Sequence, residues 1–333
     1  MIKIYTEDEK IIKEIVTIKN LSQRTEITYR QAIKNYTEYH QKSLTYLLQE
    51  ADIEEEQKIS WKKRKLRKRL ITFRQHLYQK YMLSTAKLNF SKILSIYKFY
   101  EIELHPLPQI SEKQKTSTVI HFNDLPTKDL IRESLKITTP VMRAFILFVS
   151  SSGVSTIDAL NLQIKDLLKS VQTYTKTNNV YEMINTLKSR DDIVPTFELK
   201  RRKTGKPYYT FCTPEAFHEI CIYLLKRKSL TYNDRLFKIT QLHLMQLFRE
   251  INNSLNLGVS ETNNYVKYRS HILRKYHAST LYNNGLSLDI VNSLQGKTKN
   301  KTDQAYFMED PEKLKQKYIK HMNCLTINPI IIN

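Results

Sequence analysis

Glycine and cysteine are scarce in this sequence, and their scarcity argues against several classes of protein. The chain of 333 residues has five glycines, and none belongs to a GxGxxG pattern or a P-loop, so use of ATP or a dinucleotide is not expected. The three cysteines, Cys212, Cys221 and Cys324, are scattered and form no CxxC pair. Neither a disulfide framework nor a zinc site is indicated, and we expect no metal and no cofactor.

Long apolar runs are also missing. No segment approaches the roughly eighteen apolar residues that a membrane-spanning helix needs. Residues 1–13 carry Glu7, Asp8 and Glu9, unlike a signal peptide. The sequence therefore predicts a cytoplasmic protein that has no membrane partner.

Positive charge is what the chain has in excess. Lys and Arg number 54 against 33 Asp and Glu, which gives a formal net charge of +21. Such a balance is typical of proteins that bind polyanions, because neutralising phosphates releases condensed counterions and gives affinity that does not depend on sequence. A merely basic soluble protein is the alternative. The length suggests two domains, and the hydrophobic content of 41% is ample for packed cores.

Composition divides the chain around residues 105 to 122. Pro106 and Pro108 stop the preceding helical pattern, and residues 109–118 are polar, as a linker should be. Upstream, the apolar residues repeat at helical spacing with no competing strand-like alternation. We predict a helical DNA-binding domain at 1–105, a linker at 106–122 and a second domain at 123–333.

A basic run, residues 61–70, indicates contact with a DNA backbone. On a helix, Trp61, Leu66 and Leu70 would pack inward while seven basic side chains cover more than one side. A solvated charged face is the usual interpretation, but such faces usually mix signs. We therefore favour DNA binding. The seven residues are Lys62, Lys63, Arg64, Lys65, Arg67, Lys68 and Arg69.

The second domain is predicted to contain helices, then a small antiparallel sheet, then helices again. The β-type runs at 195–199 and 207–211 flank the basic tip 203–206, so they form a hairpin. Pro214 opens the following helix. The fold class is mainly α with a small antiparallel β-sheet (α+β).

His271 and Arg274 are the first two of a set of reactive residue types near the C-terminus. Because their spacing is i, i+3, they project from one face of a helix that runs from His271 to about Tyr282. Two donors to phosphate oxygens then lie side by side. His277 lies on a different face and is predicted to be structural.

Lys297 and Tyr306 complete the set. Gly285 ends the first helix, a second short helix covers 288–294, and Lys297 is left exposed at the next turn. Tyr306 precedes a helix start that has Pro311 at its first position. This is the arrangement that a protein needs in order to cut DNA with a tyrosine.

With these features in this order, the chain resembles the tyrosine recombinases (phage-type integrases), and most of all the archaeal integrases. The HxxR motif, His271 to Arg274, is weak evidence when taken alone, and so is one tyrosine among 21. The ordered set of motifs is specific, and it covers most of the chain. The resemblance implies a helical core-binding domain followed by a tyrosine-recombinase (DNA breaking-rejoining) catalytic domain. It is carried by the basic first half, the turn Ser152-Gly153-Val154-x-x-x-Asp158-x-Leu160-x-Leu162, the hairpin with Lys203, the HxxR helix, Gly296-Lys297 and Tyr306.

The resemblance also implies a role for each catalytic residue. Tyr306 would attack a DNA phosphodiester and form a 3′-phosphotyrosine, which keeps the bond energy for rejoining. Arg274 would bind two non-bridging oxygens with its planar fork, and Lys297 would add a further cation. His271 would hydrogen-bond the phosphate or accept the tyrosine proton. Lys203 would protonate the leaving 5′-oxygen.

Two identities within this set stay open. Lys203 shares the hairpin tip with Arg201, Arg202 and Lys206, which we also predict to contact DNA. Tyr318 is a second C-terminal tyrosine, but its surroundings in the last helix indicate packing.

Ser155 is the main departure from the family's pattern. The turn at Gly153 normally continues with an arginine, the first of two that clamp the phosphate. Another basic residue fills the gap, with Arg143, Arg201 and Arg202 the nearest candidates, or the enzyme is slow, or the chain binds DNA without cutting it.

Two other functions therefore compete with a recombinase. One is a DNA-binding regulator that keeps the fold, and the other is a type IB topoisomerase or telomere resolvase, which shares the chemistry. For a recombinase, we expect double-stranded DNA as the partner, a homotetramer on paired sites, and association with the nucleoid. The apolar segment 327–332 predicts packing onto a neighbouring protomer, with docking on its own chain as the alternative.

Overall fold

The chain forms two compact units, Met1–Thr118 and Val119–Asn333, each with its own hydrophobic core. The computed structural model describes residues 4–109, 122–260, 265–297 and 310–328. Most of the predicted linker therefore lies outside the described residues. The predicted mainly helical class with a small antiparallel sheet is confirmed. No helix in the described ranges is long and apolar enough to cross a membrane.

The first unit is helical, as the apolar spacing predicted. Ser22 and Ser43 start two of its helices by accepting a backbone N–H from the first turn. Tyr36, Phe73 and Tyr97 are fully buried in its core, and the hydroxyls of the two tyrosines bond to each other at 2.9 Å. The helices are α1 (Asp8–Ile18), α2 (Gln23–His40), α3 (Leu44–Glu56), α4 (Lys65–Lys80) and α5 (Leu83–Phe99).

The second unit is built around one buried helix, Pro140–Ser152, which packs against two others. Pro140 occupies its first turn, and Gly153 ends it with a left-handed φ of +64°. Every side chain from 144 to 152 is buried. The helices are α6 (Lys128–Lys136), α7 (Pro140–Ser152), α8 (Thr156–Asn161), α9 (Ile164–Ser170), α10 (Val180–Leu187), α11 (Pro214–Leu225), α12 (Gln241–Ser254), α13 (Ser270–Asn283), α14 (Leu288–Leu294) and α15 (Pro311–His321).

The predicted hairpin is confirmed, with strands β1 (Thr196–Lys200) and β2 (Pro207–Phe211). They pair antiparallel, and Lys200 faces Pro207 at the open end of the connection 201–206. The side chains of Phe197 and Phe211 are buried and anchor the sheet on the core. The hairpin base is therefore fixed, and the connection between its strands contacts Gly296, which follows α14, and Asp158 on α8.

The last described residues pack onto their own chain. Leu325 and Ile327 are buried in the core of the second unit. The carboxylate of Glu215 accepts the backbone N–H groups of Ile327 and Asn328, both at 2.8 Å. Docking on the same chain is thus observed as far as Asn328, and residues 329–333 lie outside the described residues.

Candidate active site

Arg274 is held in a buried position by backbone carbonyls. It lies on α13, only 8% exposed, and donates hydrogen bonds to the carbonyl of Gly153 and to that of Gln295, the latter at 2.7 Å. Burial is the main cause that lowers the pKa of its guanidinium. Because neutral carbonyls hold the group, its orientation is fixed while its positive charge stays uncompensated by these bonds.

His277 supports the inner side of Arg274. Its ring is fully buried, and Nδ1 lies 3.1 Å from Nε2 of Gln295, which also donates to the carbonyl of Arg274 at 2.9 Å. A Cβ on Gly153 would lie 2.4 Å from the ring, so a side chain there would displace it. His277 is thus a packing residue, as predicted.

Burial of His277 makes the stability of the second unit depend on pH. Burial, followed by the charges of Arg274 and Lys297, lowers the pKa of His277 to about 3, whereas an unfolded histidine titrates near 6.5. Between these values the unfolded chain binds a proton that the folded chain does not. We expect the free energy of unfolding to fall by about 1.4 kcal/mol per pH unit as the pH drops below about 6.5.

Urea titrations over this range, read by pulsed hydrogen exchange of α13 peptides, check that slope. His277→Leu is expected to remove this contribution whatever its own stability, while His243→Gln, at an exposed position on α12, is expected to keep it. An unchanged slope in His277→Leu would contradict the assignment. The first unit is followed separately through the fluorescence of Trp61, the chain's one tryptophan.

His271 and Lys297 lie at the exposed edge of the same region. His271 is exposed one turn before Arg274, and partial burial together with nearby basic side chains lowers its pKa. Lys297 is exposed after Gly296, and its pKa is lowered by partial burial and by the charges of Arg274 and Arg201. A histidine with a lowered pKa is largely neutral at pH 7, so it is able to accept a proton.

Arg201 reaches this region from the hairpin. Its Nη1 donates to the carbonyl of Gly296 at 2.8 Å. Its backbone N–H donates to the carbonyl of Lys206, also at 2.8 Å, which closes the connection between the strands. We call Arg201, Arg274, His271 and Lys297 the cation cluster.

The other basic residues of the hairpin tip are placed differently. Lys203 is exposed in the turn, so the structure does not hold it against the cation cluster. The side chain of Arg202 is exposed as well, while its backbone N–H donates to Oδ1 of Asp158 at 3.1 Å. Arg143 lies on α7 in an ion pair with Glu219 at 2.8 Å.

Ser155, at the position where the sequence resemblance called for an arginine, starts α8. Its hydroxyl donates to Oδ2 of Asp158 at 2.7 Å and accepts the N–H of the same residue at 3.3 Å. The other oxygen of Asp158 accepts the backbone N–H of Arg202. Ser155 and Asp158 therefore fix the start of the connection between the two strands, a link that the sequence did not reveal because the two segments are distant in the chain.

Tyr208 is a further residue of this site that the sequence analysis did not predict. Its ring packs on Gly296, where an added Cβ would lie 2.7 Å from it. Its hydroxyl is buried and has no hydrogen-bond partner among the described residues. Burial and then the charge of Asp158 raise the pKa of Tyr208, and the charges of Arg274 and Arg201 oppose that shift, so the hydroxyl keeps its proton.

The cation cluster is suited to an anion. Its members lower one another's pKa or that of a neighbour, because like charges are held close together. Within the described residues, Asp158 is the carboxylate that acts on Arg274, and it is already bonded to Ser155 and Arg202. The described part of the chain brings no three His, Cys, Asp or Glu side chains together as metal ligands.

The basic run is only partly available to a ligand. It is split between a 3₁₀ turn, Trp61–Lys63, and the start of α4, rather than forming one helix. Arg64 is buried and pairs with Glu55 and Glu103. Arg69 forms a two-pronged pair with Glu50. Carboxylates thus already engage both guanidiniums, and contact of Arg64 and Arg69 with DNA stays a prediction.

The remaining cations of the basic run line a surface depression of about 300 Å³ at the start of α4. The side chain of Lys65 is 68% exposed, although its Nζ lies 3.6 Å from Glu50. No carboxylate partner is recorded in the described residues for the other four. They are Lys62, Lys63, Arg67 and Lys68.

The two C-terminal tyrosines differ. Tyr306 lies outside the described residues. Tyr318 is fully buried in α15, and its hydroxyl donates to the carbonyl of Ser151 at 2.9 Å. Tyr318 is therefore a packing residue, as predicted.

Solved structures with a similar fold are tyrosine recombinases. Lambda integrase, as a dimer bound to a COC′ core site, has a TM-score of 0.54 and 12% identity over 91% of this chain and 95% of that one. The XerH site-specific recombinase, in a post-cleavage complex with a palindromic difH substrate, gives 0.57 and 18% over 92% and 82%. The Tn1549 transposon integrase, in complex with transposon right-end DNA, gives 0.53 and 11% over 93% and 98%.

These likenesses establish the fold alone. No protein-family model matches the sequence, and no curated protein matches it. The chain has the tyrosine-recombinase fold, a helical unit followed by a mainly helical unit with a small antiparallel sheet.

Proposed function

We propose that this protein is a site-specific DNA recombinase that cuts and rejoins DNA through a covalent link to Tyr306. The cation cluster carries the proposal, because backbone carbonyls hold two of its guanidiniums, those of Arg201 and Arg274, with little compensating negative charge. A phosphodiester supplies the negative charge that such a site lacks. The fold and the net charge of +21 support the same class.

In this reaction the phenol oxygen of Tyr306 attacks phosphorus in line. The P–O bond to the 5′-oxygen breaks, leaving a 3′-phosphotyrosine and, after protonation, a free 5′-hydroxyl. His271 accepts the phenol proton, and Lys203 on the exposed hairpin turn donates a proton to the leaving oxygen. Arg274 and Lys297 stabilise the charge that develops on the non-bridging oxygens. Attack by a 5′-hydroxyl reverses these steps and rejoins the DNA.

The partner is double-stranded DNA. The first unit contacts the DNA backbone through the cations of the basic run that have no recorded carboxylate partner, and Arg202 and Lys206 of the hairpin add further contacts. We expect a homotetramer on paired sites, because strands are exchanged twice between two duplexes. The closest kinship with archaeal integrases remains a prediction.

A DNA-binding protein that does not cut is the second candidate. Ser155 favours it, because this short side chain is fully used in starting α8 and cannot reach a phosphate as an arginine would. Loss of one such donor lowers a rate by about 100-fold to 1000-fold. The two candidates differ in whether a covalent intermediate forms.

Covalent capture tests the proposal. The protein is incubated with supercoiled plasmid that carries the DNA flanking its own reading frame, and the reaction is quenched with detergent. We expect protein-linked DNA whose attached peptide, identified by mass spectrometry, contains Tyr306. Binding of the same plasmid without any adduct would favour the second candidate.

A further inference from the structure

We propose that Arg201 is the second phosphate-binding arginine of the site and supplies, from the hairpin, the guanidinium that Ser155 cannot. The inference rests on the proposed function, since it assigns a further catalytic residue to that reaction. It is carried by two successive carbonyls, one of which binds Arg201 and the other Arg274. Nη1 of Arg201 binds the carbonyl of Gly296, and Nη2 of Arg274 binds that of Gln295.

Successive carbonyls bring the two guanidiniums together. Gln295 and Gly296 are neighbours in the chain, with Cα atoms about 3.8 Å apart. Arg201 and Arg274 therefore reach the same turn although they are far apart in sequence. Both distances, 2.8 Å and 2.7 Å, are those of good hydrogen bonds.

The backbone of Arg201 is fixed on several sides. Its N–H donates to the carbonyl of Lys206 at 2.8 Å, and its carbonyl accepts the N–H of Gly205 at 2.7 Å. The next residue, Arg202, is tied through its own N–H to Asp158. A guanidinium mounted in this way is preorganised, which is what stabilisation of a transition state needs.

The other two candidate arginines do not meet these conditions. Arg143 is engaged by Glu219 at 2.8 Å. Arg202 is anchored only by its backbone and has an exposed side chain. The control for loss of one positive charge is Arg249, an exposed arginine on α12 that has no part in the proposed site.

The donors that remain are enough for one phosphate. A guanidinium has five N–H groups, of which Arg201 uses one on Gly296 in the recorded bonds. The ring of Tyr208 packs on Gly296, whose carbonyl Arg201 binds, and so supports the turn that both arginines reach. Two guanidiniums can bind the non-bridging oxygens of one phosphodiester.

Binding of inorganic phosphate tests the site without any chemistry on DNA. Phosphate is titrated into the isotope-labelled full chain at low salt, and the amide resonances of the 293–297 turn are followed. We expect saturable shifts that weaken at least tenfold in Arg201→Ala and remain in Arg249→Ala. Equal binding by Arg201→Ala and Arg249→Ala would overturn the inference, whether or not the protein cuts DNA.

Adduct formation on the plasmid described above gives a second readout. We expect Arg201→Ala to react about 100-fold more slowly than wild type. Arg201→Lys retains a donor for Gly296 and guards against misfolding, yet it lacks the planar fork, so we expect at least a tenfold loss. When Ser155→Arg is added to Arg201→Ala, the double variant is expected to regain adduct formation.

The outcomes separate the inference from the proposed function. A wild-type adduct rate in Arg201→Lys and Arg201→Ala would overturn the role of Arg201 and leave the recombinase intact. No adduct in wild type, together with Arg201-dependent phosphate binding, would overturn the recombinase and leave the phosphate site. A structural role for Arg201 would show as a lower melting temperature with no rescue of the rate by added guanidinium ion.

Discussion

Tyr306→Phe is expected to form no covalent DNA adduct and still to bind DNA. The phenol oxygen is the atom proposed to bond to phosphorus, and phenylalanine lacks it. The cation cluster and the unpaired cations of the basic run are unchanged by this substitution, so the electrostatic part of binding persists. Detergent-quenched plasmid reactions measure the adduct, and gel mobility shift measures binding.

Tyr318→Phe is the matched control, because it removes the same hydroxyl from the other C-terminal tyrosine. That hydroxyl binds the carbonyl of Ser151 inside the core. Its loss is expected to lower the free energy of unfolding by about 1 kcal/mol and to leave adduct formation near the wild-type level. An adduct that survives in Tyr306→Phe would remove Tyr306 from the reaction.

Elements with strong local signals were predictable from the sequence. The predicted helix from His271 to about Tyr282 is observed as Ser270–Asn283, and the predicted 288–294 helix is observed at those bounds. Both end near a glycine with positive φ, a conformation that glycine adopts without strain. The hairpin was visible because β-type runs flank its basic tip.

Side-chain partners that come from distant segments were not predictable. The basic run signalled seven cations, yet Glu50, Glu55 and Glu103 engage Arg69 and Arg64. Composition and periodicity report how many charges a segment carries, whereas neutralisation depends on how helices pack. Short helices such as α9 and α10 were also not predicted from the sequence.

The gap at Ser155 shows the same limit at the site itself. The sequence identified the missing arginine and three candidates for its place, but it ranked them only by position in the chain. The contact of Arg201 with Gly296 spans 95 residues, and the next residue, Arg202, is tied through its backbone to Asp158. A fold was needed to separate Arg201 from Arg143 and Arg202.

Arg274→Ala is expected to reduce adduct formation by about 1000-fold, the upper end of what one lost transition-state donor costs. It is also expected to lower the free energy of unfolding by about 2–4 kcal/mol, because the carbonyls of Gly153 and Gln295 lose their buried donor. The two effects share one cause. The bonds that orient the guanidinium toward the phosphate also join the end of α7 to the end of α14.

The effect of Arg274→Ala on the reaction is distinguished from its effect on stability by the choice of temperature and by matched variants. Adduct rates are measured well below the melting temperature of the variant, with urea unfolding followed in parallel. Arg249→Ala, at an exposed position on α12, controls for loss of one positive charge and is expected to change neither quantity appreciably. Arg274→Lys keeps the charge but not the fork that binds two carbonyls at once, so we expect it to recover little of the rate. A stable Arg274→Ala protein with a wild-type adduct rate would show that the buried guanidinium only joins the two helix ends, and that the phosphate binds elsewhere.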